Sequence, residues 1–266
     1  MDASGRSLEK LESVLAEYPR VLVAFSGGVD SSVVAAAAAR AKGSDALAVT
    51  LTGPSHPSRD RRMAEEVARR AGIQHLLVPI DQLADADYRK NDAERCYFCR
   101  RLETTRLREI ATERGFDVIV DGVHRDDLGE LRPGLRALQE QGVRHPLVEA
   151  GLGKSDVREV ARLLGLPNQD APANACLSSR IQRGVVVRVD DLRRVDEAEE
   201  FLVALGFPFV RVRTDGAVAR VEVPKEDLPR LAEPRMWSRV QVHLESLGFL
   251  RLASAPASYR IGGGAP

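Results

Sequence analysis

The chain has 266 residues, with Lys plus Arg and Asp plus Glu at 39 each, so neither nucleic acid nor an anionic membrane is attracted by net charge. No apolar run approaches membrane-spanning length, and the length suits one large domain or two modest ones. The first residues lack a signal peptide's layout, and three cysteines form an odd set suited to a reducing compartment, so a cytoplasmic protein is expected.

Leu8, Leu11, Val14 and Leu15 follow helical spacing, and Tyr18-Pro19 ends that helix. Val21 to Phe25 is an apolar run suited to a buried parallel strand. It enters the turn Ser26-Gly27-Gly28, and a helix opens with Asp30, Ser31 and Ser32 before the alanine-rich stretch Val33 to Ala41. Strand, glycine turn and helix start make an anion seat for a phosphate or pyrophosphate, formed by Ser26, Gly27, Gly28, Ser31 and Ser32. Asp30 is placed to hold the Mg2+ of a nucleotide triphosphate. A Walker loop would need Gly-Lys-Ser/Thr, and a dinucleotide fingerprint a third, spaced glycine; neither is present in this turn.

Ala46 to Leu51 reads as a second buried strand, whose end at Thr50 and Thr52 is expected to frame an adenine. Ser58 to Ala71 is an arginine-rich helix and His75 to Val78 a short strand, with His75 an edge residue without chemistry. Asp81 to Glu94 is polar and poorly periodic and is expected to be mobile. A helix over Arg95 to Arg114 carries Cys96 and Cys99 at its start. A strand at Asp117 to Val120 leads into Asp121-Gly122, and Gly122 is assigned to the nucleotide site. A further apolar piece, Pro146-Leu147-Val148, precedes Gly153-Lys154-Ser155 and a helix over Asp156 to Leu164; Lys154, just before that helix, is placed to reach a phosphate. Alternating strands and helices over residues 20 to 165 predict an α/β fold with a doubly wound parallel sheet.

Pro172 to Arg183 reads as an ordered loop containing Cys176. Strands are expected at Gly184–Val189, Pro208–Arg213, Ala217–Val223 and Phe249–Leu252, with helices at Leu192–Leu205 and from Lys225 through Leu247. Asp215-Gly216 is a hairpin-turn signal. The order β-α-β-β-α-β predicts a smaller ferredoxin-like α+β domain. The expected division is 1–170, a connecting loop 171–183, a second domain 184–255 and a frayed tail 256–266. Arg211 and Arg213 alternate onto one strand face, which on the residues alone reads as a solvated strand and becomes a phosphate grip only through the family resemblance given below; Arg180, Glu200 and Glu222 are further candidates for a polar site.

Cys96-x-x-Cys99 with a distant Cys176 leaves several chemistries open. A redox dithiol lacks the strand-first context it needs. Structural zinc would take a fourth ligand such as His124, and three thiolates suit a 4Fe–4S cluster with one open iron; unrelated small residues explain the spacing equally well.

The Ser26–Ser32 segment resembles the SGGxDSS motif of PP-loop ATP pyrophosphatases, and Lys154-x-x-x-Arg158 resembles their late lysine motif. Pro172 to Ile181, Asp126-Asp127-Leu128, Arg132-Pro133-Gly134, Arg211-Val212-Arg213 and Ala219-Arg220-Val221-Glu222 resemble the LarE family over roughly residues 8 to 252. The resemblance implies an ATP-dependent sulfur transferase that adenylylates carboxylates of pyridinium-3,5-biscarboxylic acid mononucleotide and converts them to thiocarboxylates. It implies sulfur delivery either through a 4Fe–4S cluster on Cys96, Cys99 and Cys176, with the sulfide source open, or by sacrifice of Cys176 alone. It implies a homo-oligomer, trimeric or hexameric. Val123-His124 and Leu131 stand where the family usually carries Thr-Asn and Tyr. The competing readings are a tRNA thiolase, an amide-forming ligase, and a non-catalytic nucleotide sensor or cluster carrier.

Overall fold

The computed structural model describes residues 3–129, 133–171 and 175–258. The chain divides into two compact units, one of Met1–Gly53, Ser58–Ile80 and Cys96–Asn174, the other of Pro54–Pro57, Asp81–Arg95 and Ala175–Pro266. The second unit thus draws two short segments from the first half of the chain, which a division along the sequence does not anticipate.

In chain order the first unit contains helix α1 (Ala3–Glu17), strand β1 (Val21–Ala24), α2 (Val29–Lys42), β2 (Ala46–Thr52), α3 (Ser58–Ala71), β3 (Gln74–Pro79), α4 (Arg95–Arg114), β4 (Val118–Val120), α5 (Pro133–Glu140) and α6 (Lys154–Leu163). The strands form a parallel sheet in the order β3-β2-β1-β4. Alternation along the central strands decides which helix meets which face. Leu22, Leu47 and Val49 pack against Leu107, Ile110 and Ala111 of α4. Val21, Val23, Ala46 and Ala48 belong to a second cluster with α1, α2 and α6. Both faces are therefore covered, and the apolar runs of β1 and β2 reflect that double burial.

Helix α2 explains its own composition: Val33 through Ala38 are all buried, so small side chains let α1, α3 and α6 approach it together. The apolar piece at Pro146 forms a one-turn helix, Pro146–Glu149, with proline in the first turn, where its missing N–H costs nothing. The sheet is extended there only by a single parallel bridge between Val120 and Arg144.

The second unit contains α7 (Val189–Ala204), β5 (Arg211–Thr214), β6 (Val218–Val223), α8 (Pro234–Ser246), β7 (Arg251–Leu252) and β8 (Ala257–Ser258). β5 and β6 form the antiparallel hairpin that Asp215-Gly216 signals, and β7 and β8 both pair in parallel with β6. The strand expected at 184–189 is not formed. Val187 N donates to Arg89 O and Gly184 N to Asn91 O, so this backbone is satisfied by the 81–95 segment and not by a sheet. One parallel bridge, Ile181 to Thr214, adds to β5 on its outer side, while β7 and β8 take the side of β6 where the first strand of a ferredoxin-like order would pair.

The expectation of a mobile 81–94 segment is also corrected. Asp81 caps a 3-10 turn, Asp85 caps the one-turn helix Ala86–Arg89, and Tyr88 is fully buried. Tyr88 Oη and Ser178 Oγ are 2.6 Å apart, and Asn91, buried with φ 56°, donates to Gln182 O at 2.9 Å and Val185 O at 3.1 Å. The anchor is one aromatic and one left-handed asparagine among capping residues, a pattern that hydrophobic periodicity does not detect. Asn91→Ala leaves buried carbonyls without donors and loses the short polar side chain that lets asparagine tolerate the left-handed region. It should lower stability by roughly 2–4 kcal/mol, read as a fall in the urea midpoint, with Asn91→Gly restoring only the backbone share.

Candidate active site

At the carboxyl end of β1 the chain turns through Ser26 to Gly28 into α2. Gly27 has φ +80°, and a β-carbon there would lie 2.6 Å from the backbone oxygen of Asp60. A β-carbon on Gly122 would lie 2.6 Å from Ser31 N and 2.9 Å from the carbonyl carbon of Asp30. Two backbones thus press on the first turn of α2 at distances only glycine permits. Ser31 Oγ and Ser32 Oγ donate to Gly28 O at 3.0 and 2.9 Å, and Ser26 Oγ lies 3.2 Å from Ser31 Oγ. Asn168 Nδ2 donates to Gly27 O at 2.7 Å and to Ser32 Oγ at 2.8 Å. Sequence reasoning missed Asn168, because nothing in its neighbourhood marks it as reaching back to the turn.

Lys154, the first residue of α6, places Nζ 2.6 and 2.7 Å from the two carboxylate oxygens of Asp30. Its own backbone N–H donates to Asp126 Oδ2 at 2.7 Å, which fixes where the side chain departs. Ser26, Gly27, Gly28, Asp30, Ser31, Ser32, Gly122 and Lys154 are therefore brought together at one sheet edge. Thr50 differs: it is buried, and its hydroxyl donates to Phe25 O at 2.7 Å and lies 2.8 Å from His75 Nε2, so its side chain is committed to the fold. His75 is correspondingly more than an edge residue. Burial lowers its pKa, keeping it a neutral partner for Thr50.

Beside the corner, Asp121 Oδ1 accepts from Val123 N at 3.0 Å and from His145 Nδ1 at 2.8 Å. Burial disfavours the His145 cation, but the hydrogen bond and charge of Asp121 outweigh it and raise the histidine pKa. His124 Nδ1 stands 3.3 Å from Asp127 Oδ2, within a capped turn. Cys96 is exposed and Cys99 half-buried, three residues apart on the first turn of α4 and so on one side of it. Cys99 Sγ donates to Glu103 Oε1 at 3.3 Å. Among the described residues, no group of three His, Cys, Asp or Glu is gathered to hold a metal ion.

In the second unit Cys176 is a half-buried free thiol that precedes the 3-10 turn Leu177–Arg180. Its carbonyl accepts from Ser179 N at 3.0 Å and Ser179 Oγ at 2.7 Å, and Leu177 N donates to Ser55 O at 2.8 Å. Arg180 is 1% exposed, and its guanidinium binds both oxygens of buried Glu199, at 2.8 and 3.1 Å, and the carbonyl of Cys176 at 3.2 Å. Arg180 is accordingly a loop clamp, which corrects its expected place in a substrate grip. Its partner is Glu199, which the sequence pattern does not distinguish from Glu200, a half-buried neighbour on α7.

Arg213 is buried, donating to Glu222 Oε2 at 2.7 Å and to Ser179 O at 3.0 Å; Arg220 reaches the other oxygen of Glu222 at 3.0 Å. Glu222 is thus an orienting partner for two arginines. Arg211, half-buried, is paired in register with Glu222. Leu131 and Arg132, Pro172 to Asn174, and the tail from residue 259 lie outside the described residues.

A family model described as asparagine synthase matches residues 12–97, which include the glycine turn. The uncharacterized protein slr1717 of Synechocystis sp. is 38% identical over 255 residues, covering 96% of this chain and 95% of its own. The pyridinium-3,5-bisthiocarboxylic acid mononucleotide synthase of Lactiplantibacillus plantarum is 34% identical over 254 residues, 95% of this chain and 91% of that one. The chain belongs to the LarE family. It is an enzyme, an ATP-dependent sulfur transferase with PP-loop chemistry. The tRNA-specific 2-thiouridylase MnmA of Sphingopyxis alaskensis is 33% identical over 186 residues, but only 55% of this chain and 48% of that protein are covered. No helix among the described residues of this LarE-family chain is long and apolar enough to cross a membrane.

Removing the carboxylate of Glu199 leaves a guanidinium buried without its counter-charge. Glu199→Ala should therefore lower stability by roughly 3–5 kcal/mol in chemical denaturation followed by circular dichroism. Gly27→Ala meets backbone at a positive φ and should abolish nucleotide binding, measured calorimetrically, while Gly43→Ala, with open space around it, leaves binding unchanged.

Proposed function

We propose that this LarE-family chain converts the carboxylates of pyridinium-3,5-biscarboxylic acid mononucleotide to thiocarboxylates. The observation that carries the reading is the glycine turn closed by the Asp30–Lys154 ion pair at the start of α2. The activity for which the Lactiplantibacillus relative is named supplies the substrate class. The helix start and Lys154 bind the triphosphate, and Asp30, relieved of Lys154 by the phosphates, takes the accompanying magnesium. A substrate carboxylate oxygen attacks the α-phosphorus, the bond to the β-phosphate oxygen breaks, and pyrophosphate leaves with that electron pair. A sulfur nucleophile then adds at the adenylylated carbonyl carbon. The C–O bond to AMP breaks, AMP leaves as the anion, and the thiocarboxylate remains.

The substrate phosphate is assigned to the arginines of the β5–β6 hairpin, Arg211, Arg213 and Arg220, with Glu222 as their orienting partner and Glu200 as a further polar neighbour. Arg213 and Arg220 share one carboxylate, so the trio keeps a surplus positive charge, unlike the neutral Arg180–Glu199 pair.

For sulfur delivery, Cys96, Cys99 and Cys176 are three free thiols of the chemistry that holds a 4Fe–4S cluster. Such a cluster, when bound, would supply an open iron site for sulfide. The second reading, sacrifice of Cys176 alone, is supported by its half-buried thiol at the head of the Leu177–Arg180 turn. In that case Sγ forms the thioester, the Cα proton and the Cβ–S bond are lost together in the elimination, and dehydroalanine remains.

Anaerobic purification followed by iron and sulfide analysis separates the two deliveries. The cluster reading expects iron and sulfide that Cys96→Ser and Cys176→Ser each remove. Iron-free protein whose mass falls by the weight of one hydrogen sulfide on turnover establishes the sacrificial one. Pyrophosphate release stimulated by the pyridinium dicarboxylate nucleotide is expected in either case, and its absence would overturn the function itself.

A further inference from the structure

Asp121 is 7% exposed, and only one of its carboxylate oxygens is used: Oδ1 accepts from His145 Nδ1 and Val123 N, while Oδ2 is buried with no hydrogen-bond partner. His145 and the charge of Arg100 act on this carboxylate, but Oδ2 itself lacks the hydrogen-bond donor that normally accompanies burial, and leaving it so is costly. The residue follows directly on β4, whose register sets Val120 beside Val23, so Asp121 stands at the same sheet edge as the glycine turn. The next residue, Gly122, presses on the peptide between Asp30 and Ser31. Bond lengths and that contact hold the Cα atoms of Asp30 and Asp121 within about 10 Å of one another, a span two carboxylates can share across one ion.

Building on the nucleotide-binding reading above, we propose that Asp121 Oδ2 is a second carboxylate ligand, beside Asp30, for the divalent cation that accompanies the triphosphate, and that His145 positions it. The chemistry fits magnesium, which is held by one or two carboxylates together with substrate phosphates and waters and not by an all-protein cage. Asp30 gives both its oxygens, at 2.6 and 2.7 Å, to Lys154 until the phosphates draw the lysine away. Asp121, by contrast, keeps one oxygen free while its ring partner fixes the plane of the carboxylate, as outer-shell groups do for metal ligands.

The test is Mn2+ affinity, measured by electron paramagnetic resonance on the full chain in the presence of the α,β-methylene analogue of ATP, which cannot be cleaved at the bond that adenylylation breaks. Asp121→Asn should weaken Mn2+ binding tenfold or more while the analogue alone still binds. His145→Ala should weaken it two- to fivefold, and His145→Gln, which retains an amide donor, should recover most of that loss. Unchanged Mn2+ affinity in Asp121→Asn overturns the proposal. A wild-type chain that binds neither the analogue nor Mn2+ overturns the nucleotide reading as well, so the two failures are distinct. Should Asp121→Asn not fold, Fe2+ placed with the analogue in the wild-type chain and treated with ascorbate and peroxide answers the same question. Analogue-dependent backbone cleavage is expected near residues 28–32 and 119–123, and cleavage confined to the first group refutes the second ligand.

Discussion

The nucleotide corner exists because backbones meet there more closely than any side chain would allow. Gly27 passes Asp60 and Gly122 passes Ser31, each at a distance where a β-carbon would collide with main-chain atoms. This steric condition fixes the orientation of the α2 amino-terminal turn relative to the ends of β1 and β4. Only then do the helix N–H groups, Asp30 and Lys154 share one volume. The chemistry is placed by absence of side chains first and by charge second.

Charge is then arranged so that the corner is neutral before a ligand arrives. Lys154 and Asp30, each about a third exposed, satisfy one another, so neither carries an uncompensated burial cost. Under the proposed function, a triphosphate brings negative charge toward Lys154 and a cation toward Asp30, replacing one ion pair with two ion contacts of opposite charges. Asn168 adds a different constraint, since it ties the carbonyl of Gly27 to the hydroxyl of Ser32 and keeps the turn from relaxing when the ion pair opens.

What the sequence disclosed, it disclosed through periodicity and turn chemistry. The parallel strands, the alanine-rich helix, the arginine-rich helix and the Asp215-Gly216 hairpin were all legible, because burial on two faces or a positive φ restricts residue choice there. The close approach of the glycine turn and the position of Lys154 at a helix start beside it were legible because glycine and turn chemistry mark both in the chain. Asp81 to Glu94 was not, since one buried tyrosine and an asparagine hold it through long-range hydrogen bonds that leave no period. The strand expected at 184–189 failed for the opposite reason: apolar, β-branched residues suit a strand, but the backbone donors of Gly184 and Val187 go to that same polar segment and that of Val185 to Gln182. Arg180 and Arg213 read alike in sequence, as arginines near a reactive loop, and only partner geometry separates them.

That separation bears on how the Cys176 loop works. Arg180 meets Glu199 with both charges buried and matched, an arrangement that contributes rigidity to the loop and little attraction to an anion. It binds the carbonyl of Cys176, and Ser179, one residue earlier, binds the same carbonyl while offering its own to Arg213. The two arginine systems therefore touch the same few peptides from different directions, one neutral and one with positive charge to spare. Under the proposed function, an anionic substrate drawn by the second system meets a cysteine whose backbone the first has already fixed, so binding need not spend its free energy ordering the loop that carries the thiol.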